Sequence, residues 1–110
     1  MESSEIDITQ YILKVLYSNP ITIWSWGFEN PIRLRNGIKF NVSGIIFLGE
    51  VEIIYNAGND LFVISLFSSN GLLHKKLENI YVDQLVDVID ENVERVADYN
   101  NRVDEFYNLK

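Results

Sequence analysis

The chain has 110 residues, 47% of them hydrophobic and 23% charged, the composition of one globular domain spanning residues 1–110 and not of a disordered segment. Cysteine is absent, which excludes disulfides, thiolate-bound zinc, iron–sulfur centres and thiol catalysis, and favours a reducing compartment. A net charge of −7 sets the surface against phosphate backbones, so no nucleic-acid partner is expected.

Met1-Glu2-Ser3-Ser4-Glu5 is acidic, where a signal peptide needs a basic start, and Glu50 and Glu52 interrupt the longest apolar run. The expectation is a cytoplasmic protein with no membrane segment. Ile8, Ile12, Val15 and Leu16 recur at helical spacing before Ser18-Asn19-Pro20, which predicts a helix over residues 4–18. Trp24, Trp26 and Phe28 alternate with Ser25 and Gly27, which reads as a short strand over 21–28 with its aromatics on one face. Asn36-Gly37 then marks a hairpin.

A two-residue turn at Ser43-Gly44 pairs Phe40 with Phe47. It gathers Phe40, Val42, Ile45, Phe47, Val51, Ile53 and Tyr55 on one sheet face. A long strand over 45–56 follows, with Gly49 at a bulge or bend. Residues 57–60 turn, the strand over 61–68 adds Phe62, Ile64 and Leu66 to the inner face, Asn70-Gly71 turns again, and residues 72–77 form a last strand.

From about Ile80 the period changes to 3.6. Val82, Leu85, Val86, Ile89, Val93, Val96, Val103 and Tyr107 share one side of a helix that could reach Tyr107. The fold expected is α+β: an N-terminal helix, an antiparallel meander of about four to five strands, and a long amphipathic C-terminal helix on the sheet's inner face.

Chemistry finds little support. The lone histidine, His74, has no convergent partners, and the six glycines occur singly without a phosphate-binding pattern. No catalytic residue, metal site or cofactor is expected, and the chain reads as non-catalytic.

Three surfaces stand out instead. Trp24, Trp26 and Phe28 form a candidate aromatic box for a protein or a small ligand, with Arg33 or Arg35 available to an anionic one. The outer sheet face carries Ile46, Leu48, Ile54, Leu61, Val63 and Phe67 among Lys39, Glu50, Glu52 and Ser65, too apolar for an open face. Either the tryptophan segment folds across it or a second copy packs there. Asp83, Asp87, Asp90 and Glu94 make an acidic stripe on the last helix, and a heptad seam through Asn100 offers a second route to a dimer.

The run Trp24-Ser25-Trp26-Gly27-Phe28-Glu29-Asn30, with Phe40-x-Val42-x-Gly44 and Gly49-x-Val51-x-Ile53-x-Tyr55-Asn56, resembles small uncharacterised proteins of Bacteroides-type gut bacteria and their mobile elements, over roughly residues 20–95. The resemblance implies a bacterial or phage-borne cytoplasmic protein and carries no activity. The reading that results is a small protein-interaction or regulatory module that self-associates, with a small-ligand binder as the alternative.

Overall fold

The computed structural model describes residues 7–94. Helix α1 (Ile8–Tyr17) starts on Asp7, whose carboxylate accepts a hydrogen bond from the Gln10 N–H at 3.2 Å and satisfies one of the donors a helix leaves open. Residues 4–6 of the expected helix lie outside the described residues. Ile12 and Leu16, four apart, are fully buried. Ser18 and Asn19 close the helix by donating their side chains to the Val15 carbonyl, at 2.6 and 3.2 Å.

Helix α2 (Pro20–Ser25) corrects the strand expected over 21–28. Proline sits at its first position, where the missing N–H costs nothing and the fixed φ suits a helix. Pro20 therefore both ends one helix and opens the next. The alternation of Trp24, Trp26 and Phe28 has no strand beneath it.

Strands β1 (Glu29–Leu34), β2 (Gly37–Ser43), β3 (Leu48–Asn56), β4 (Leu61–Ser68) and β5 (Leu73–Ile80) form one antiparallel sheet in sequence order. Leu34 pairs with Gly37, so Arg35-Asn36 makes the first hairpin turn, with Asn36 in the left-handed region at φ 64°. The second turn differs from expectation. Ser43 pairs with Leu48, leaving a four-residue connection over 44–47, and Phe40 faces Val51 and not Phe47.

That register differs from the expected one by four residues. Because side chains alternate with period two, an even shift leaves every strand residue on its face. Ile38, Phe40, Val42, Val51, Ile53, Phe62, Ile64 and Leu66 are accordingly all buried. Ile45 is the exception, 65% exposed in the connection. Gly49 lies in an unbroken β2–β3 ladder, not at a bulge. A Cβ there would stand 2.2 Å from the Phe67 carbonyl oxygen, which explains the glycine.

Strand β5 runs three residues past its expected end. Between its pairings with Ile64 and Phe62 it places Leu77 and Ile80 on the inner face, and the extra residue is absorbed with Asn79 at φ 60°. A single 3-10 turn (Val82–Gln84) leads into α3 (Leu85–Val93), so the C-terminal helix among the described residues is short. Val96, Asn100, Val103 and Tyr107 of the longer expected helix and its heptad seam lie outside the described residues.

One core joins Ile12 and Leu16 of α1, Trp26, the inner sheet face, and Leu85, Ile89 and Val93 of α3. Polar ties fix these layers. Buried Thr9 donates its hydroxyl to the Gly37 carbonyl at 2.6 Å. The Val93 carbonyl, left open by the end of α3, accepts the N–H groups of Ile46 and Phe47 at 2.9 and 3.3 Å, and the Glu94 carboxylate accepts that of Ile45 at 3.0 Å. The β2–β3 connection is thereby seated on the C-terminus of α3.

Candidate functional site

The helical turn that replaces the expected strand separates the three aromatics. Trp26 is fully buried, stacks on Phe40 with 6.4 Å between ring centres, and donates its indole N–H to Asp90 of α3 at 2.9 Å. Phe28 is half-buried, 4.6 Å from Phe40 and edge-on to Tyr17 at 5.9 Å. Trp24 points the other way and is 80% exposed, one turn from Ile21 on the six-residue α2. No shared platform remains. Trp26 and Phe28 pack with the core, and Trp24 is exposed near the C-terminal end of α2.

The acidic stripe is likewise divided. Asp83 and Asp87 are exposed, whereas Asp90 holds the indole of Trp26 and Glu94 caps the N–H of Ile45. Two of its four carboxylates therefore bind segments of the same chain. Asp83 lies in the 3-10 turn and not in the helix proper, so it does not continue the stripe on the α3 surface.

Two of the three cations near the first hairpin have local partners, and the exposed side chain of Arg35 makes no ion pair or hydrogen bond among the described residues. Arg33 makes a two-pronged pair with Asp7, at 2.8 and 3.2 Å, and the Arg33 guanidinium together with the Gln10 N–H holds the Asp7 carboxyl below its ordinary range. Lys39 reaches Glu50 at 4.0 Å. His74 stacks on Phe47 with 5.1 Å between ring centres, and among the described residues no group of three or more His, Asp or Glu side chains could hold a metal ion.

The outer sheet face keeps the apolar content expected of it. Register places Leu48, Ile54, Val63 and Phe67 there with Lys39, Glu50, Glu52 and Ser65, and β1 adds Ile32 and Leu34. Ile54, Val63 and Phe67 are half-buried by their neighbours, whereas Ile32 and Leu48 are exposed. Ile46 departs from the expectation: it lies in the unpaired β2–β3 connection, 47% exposed, with its N–H bonded to the Val93 carbonyl of α3, and it is not part of this face. The helices of the described residues all join the core on the opposite side. The tryptophan segment is among them, so it does not cover this face as one reading of the sequence expected.

Comparison of the chain with protein-family models, curated proteins and solved structures finds no match. Among the described residues no helix is long and apolar enough to cross a membrane.

Proposed function

We propose that the protein is a small non-catalytic interaction module that self-associates through the outer face of its sheet. The observation that supports this is the apolar outer row of Leu34, Ile54 and Val63, with Phe67 and Leu48 on the far side of the Lys39, Glu52 and Ser65 row and no helix of the described residues above the face. Antiparallel sheets with one wet face carry polar residues there. Apolar side chains gathered on an uncovered face of a small domain point to an association site.

Size sets the expected strength. Five strands about 4.8 Å apart and roughly 25 Å long present a face of roughly 500 Å². Standard interfaces bury about 800 Å² on each partner, so the association is expected to be weak and concentration-dependent. Strand addition at either sheet edge is a poorer route, because β1 carries Pro31 and a register irregularity and β5 is blunted by Lys75, Lys76 and two irregularities.

Sedimentation velocity over a wide concentration range tests the proposal. The wild type should pass from monomer to dimer, and Ile54→Lys with Val63→Lys should remain monomeric while keeping its circular dichroism. A wild type that stays monomeric throughout refutes self-association. A dimer that survives the double substitution but dissolves in Trp24→Ala places the contact on α2 and refutes the outer face.

A further inference from the structure

A cleft of about 650 Å³ opens at the end of the sheet where β2 finishes and β3 begins, bounded by Gly27 and Glu29 on one side and the β4–β5 turn on the other. That volume lies within the range of small-molecule sites. Its floor is a cross-strand row: Glu29 pairs with Asn41, and Asn41 pairs with Glu50. Paired residues project from the same face, so an amide lies between two carboxylates whose Cα atoms stand about 10 Å apart, two strand spacings. Ser43 and Ser69 add hydroxyls at the rim.

These groups are not occupied by the fold. Among the described residues the side chains of Glu29, Asn41, Ser43 and Ser69 have no hydrogen-bond partner, although polar side chains elsewhere in the molecule cap helices, tie layers or close turns. Glu50 has Lys39 at 4.0 Å, with both side chains more than a third exposed, a loose pair that competes weakly with a ligand. No lysine or arginine lines the cleft. Acceptors therefore outnumber donors, and the ligand must bring the donors and the positive charge.

We propose that this cleft binds an organic cation, with an ammonium or guanidinium group seated between Glu29 and Glu50 above the Asn41 amide. Such a group belongs equally to a free polyamine and to a lysine or arginine side chain of a peptide. The two sources differ in what surrounds the charge. A peptide also meets the Ser43 and Ser69 hydroxyls with its backbone, whereas a polyamine has only further ammonium groups to offer. The floor of the cleft is part of the outer sheet face and Leu48 belongs to both, so a seated cation and a second copy compete for it, and the titration is run at a dilution where the protein is monomeric.

The test is titration of isotope-labelled protein with spermidine in one arm and an arginine-containing tripeptide amide in the other, at constant ionic strength, followed by amide chemical shifts. Saturable shifts confined to Asn41, Glu50, Ser69 and Gly71 in either arm support the proposal, and the arm that saturates first identifies the source. Glu29→Gln with Glu50→Gln should weaken binding at least about tenfold, the equivalent of one lost charge-assisted contact. Ser69→Trp, at an exposed turn, should block the cleft without altering its charge. Shifts that rise linearly, that tetramethylammonium reproduces, or that persist unchanged in both variants overturn it.

Discussion

Replacing Trp26 by phenylalanine tests how α2 and α3 are held to the sheet. The substitution removes two things at once. The indole N–H loses Asp90, an acceptor at 2.9 Å that carries charge and is itself only half-buried. Bonds to charged groups contribute about 1.5–3 kcal/mol, and renewed hydration of a half-buried carboxylate brings the expected loss to about 1–2 kcal/mol. The smaller ring also vacates part of a site where Trp26 has no exposed surface, worth a further 2–3 kcal/mol or so in transfer and cavity terms. The sum, about 3–5 kcal/mol, is a large part of the 5–15 kcal/mol typical of a domain. Trp24→Phe is the internal control, since a residue 80% exposed should change stability by no more than about 0.5 kcal/mol. Urea unfolding monitored by circular dichroism measures both, and the remaining tryptophan reports its own surroundings by fluorescence: shielded emission in Trp24→Phe, water-like emission in Trp26→Phe. A double-mutant cycle of Trp26→Phe with Asp90→Ala should return a coupling of about 1 kcal/mol. Equal costs for the two tryptophan variants would refute the placement of Trp26 in the core, and a coupling near zero would refute the bond to Asp90.

Gly44→Ala should loosen the β2–β3 connection from α3, because its Cβ would meet the Val93 carbonyl oxygen at 2.3 Å and a Val93 methyl at 2.6 Å; a loss of about 1–3 kcal/mol in urea unfolding is expected. Gly58→Ala, on an exposed turn where the nearest atom is the Asn56 side chain at 3.1 Å, should cost far less, and equal losses would contradict the seating of the connection on Val93. Protonation of Asp7 breaks its pair with Arg33; because the folded carboxyl titrates below its ordinary value of 3.8, its contribution to stability is present above that pH and is lost as pH falls through the folded value. Arg33→Gln should move the Asp7 titration back up toward 3.8 in carboxyl NMR shifts, and an unmoved midpoint would show that the pair has no effect on the carboxyl.

The inner sheet face was legible in the sequence because its message is redundant. Phe40, Val42, Val51, Ile53, Phe62, Ile64 and Leu66 announce one face by parity alone, and parity survived a connection of four residues where two were expected. Local reading failed where a pattern of one period imitated another. Trp24, Trp26 and Phe28 alternate like a strand, yet Asn19-Pro20 starts a helix too short to show its own period. Leu77 and Ile80 stand three apart in a strand whose irregularity supplies the extra residue, and beside Val82 they look like the start of a helix. Asp90 and Glu94 read as part of one acidic stripe because nothing in a helical wheel reveals that Trp26 and Ile45 approach it from distant parts of the chain.

The same four-residue difference that left the core unchanged decides which polar side chains meet. With Phe40 opposite Phe47, Asn41 would lie opposite Ile46 and Glu50 opposite Gly37, and the outer face would hold scattered charges. With Phe40 opposite Val51, Asn41 lies opposite Glu50, and Glu29 of β1 completes the row. Apolar faces need only the parity of a register, since hydrophobic burial is not directional. A polar site needs the register itself, because hydrogen bonds act over about 3 Å and a displacement of two residues along a strand moves a partner by nearly 7 Å. Alternation therefore locates the core and the greasy outer face, while the cleft depends on the length of one connection, which is fixed by its docking against Val93 and Glu94, about 50 residues further along the chain.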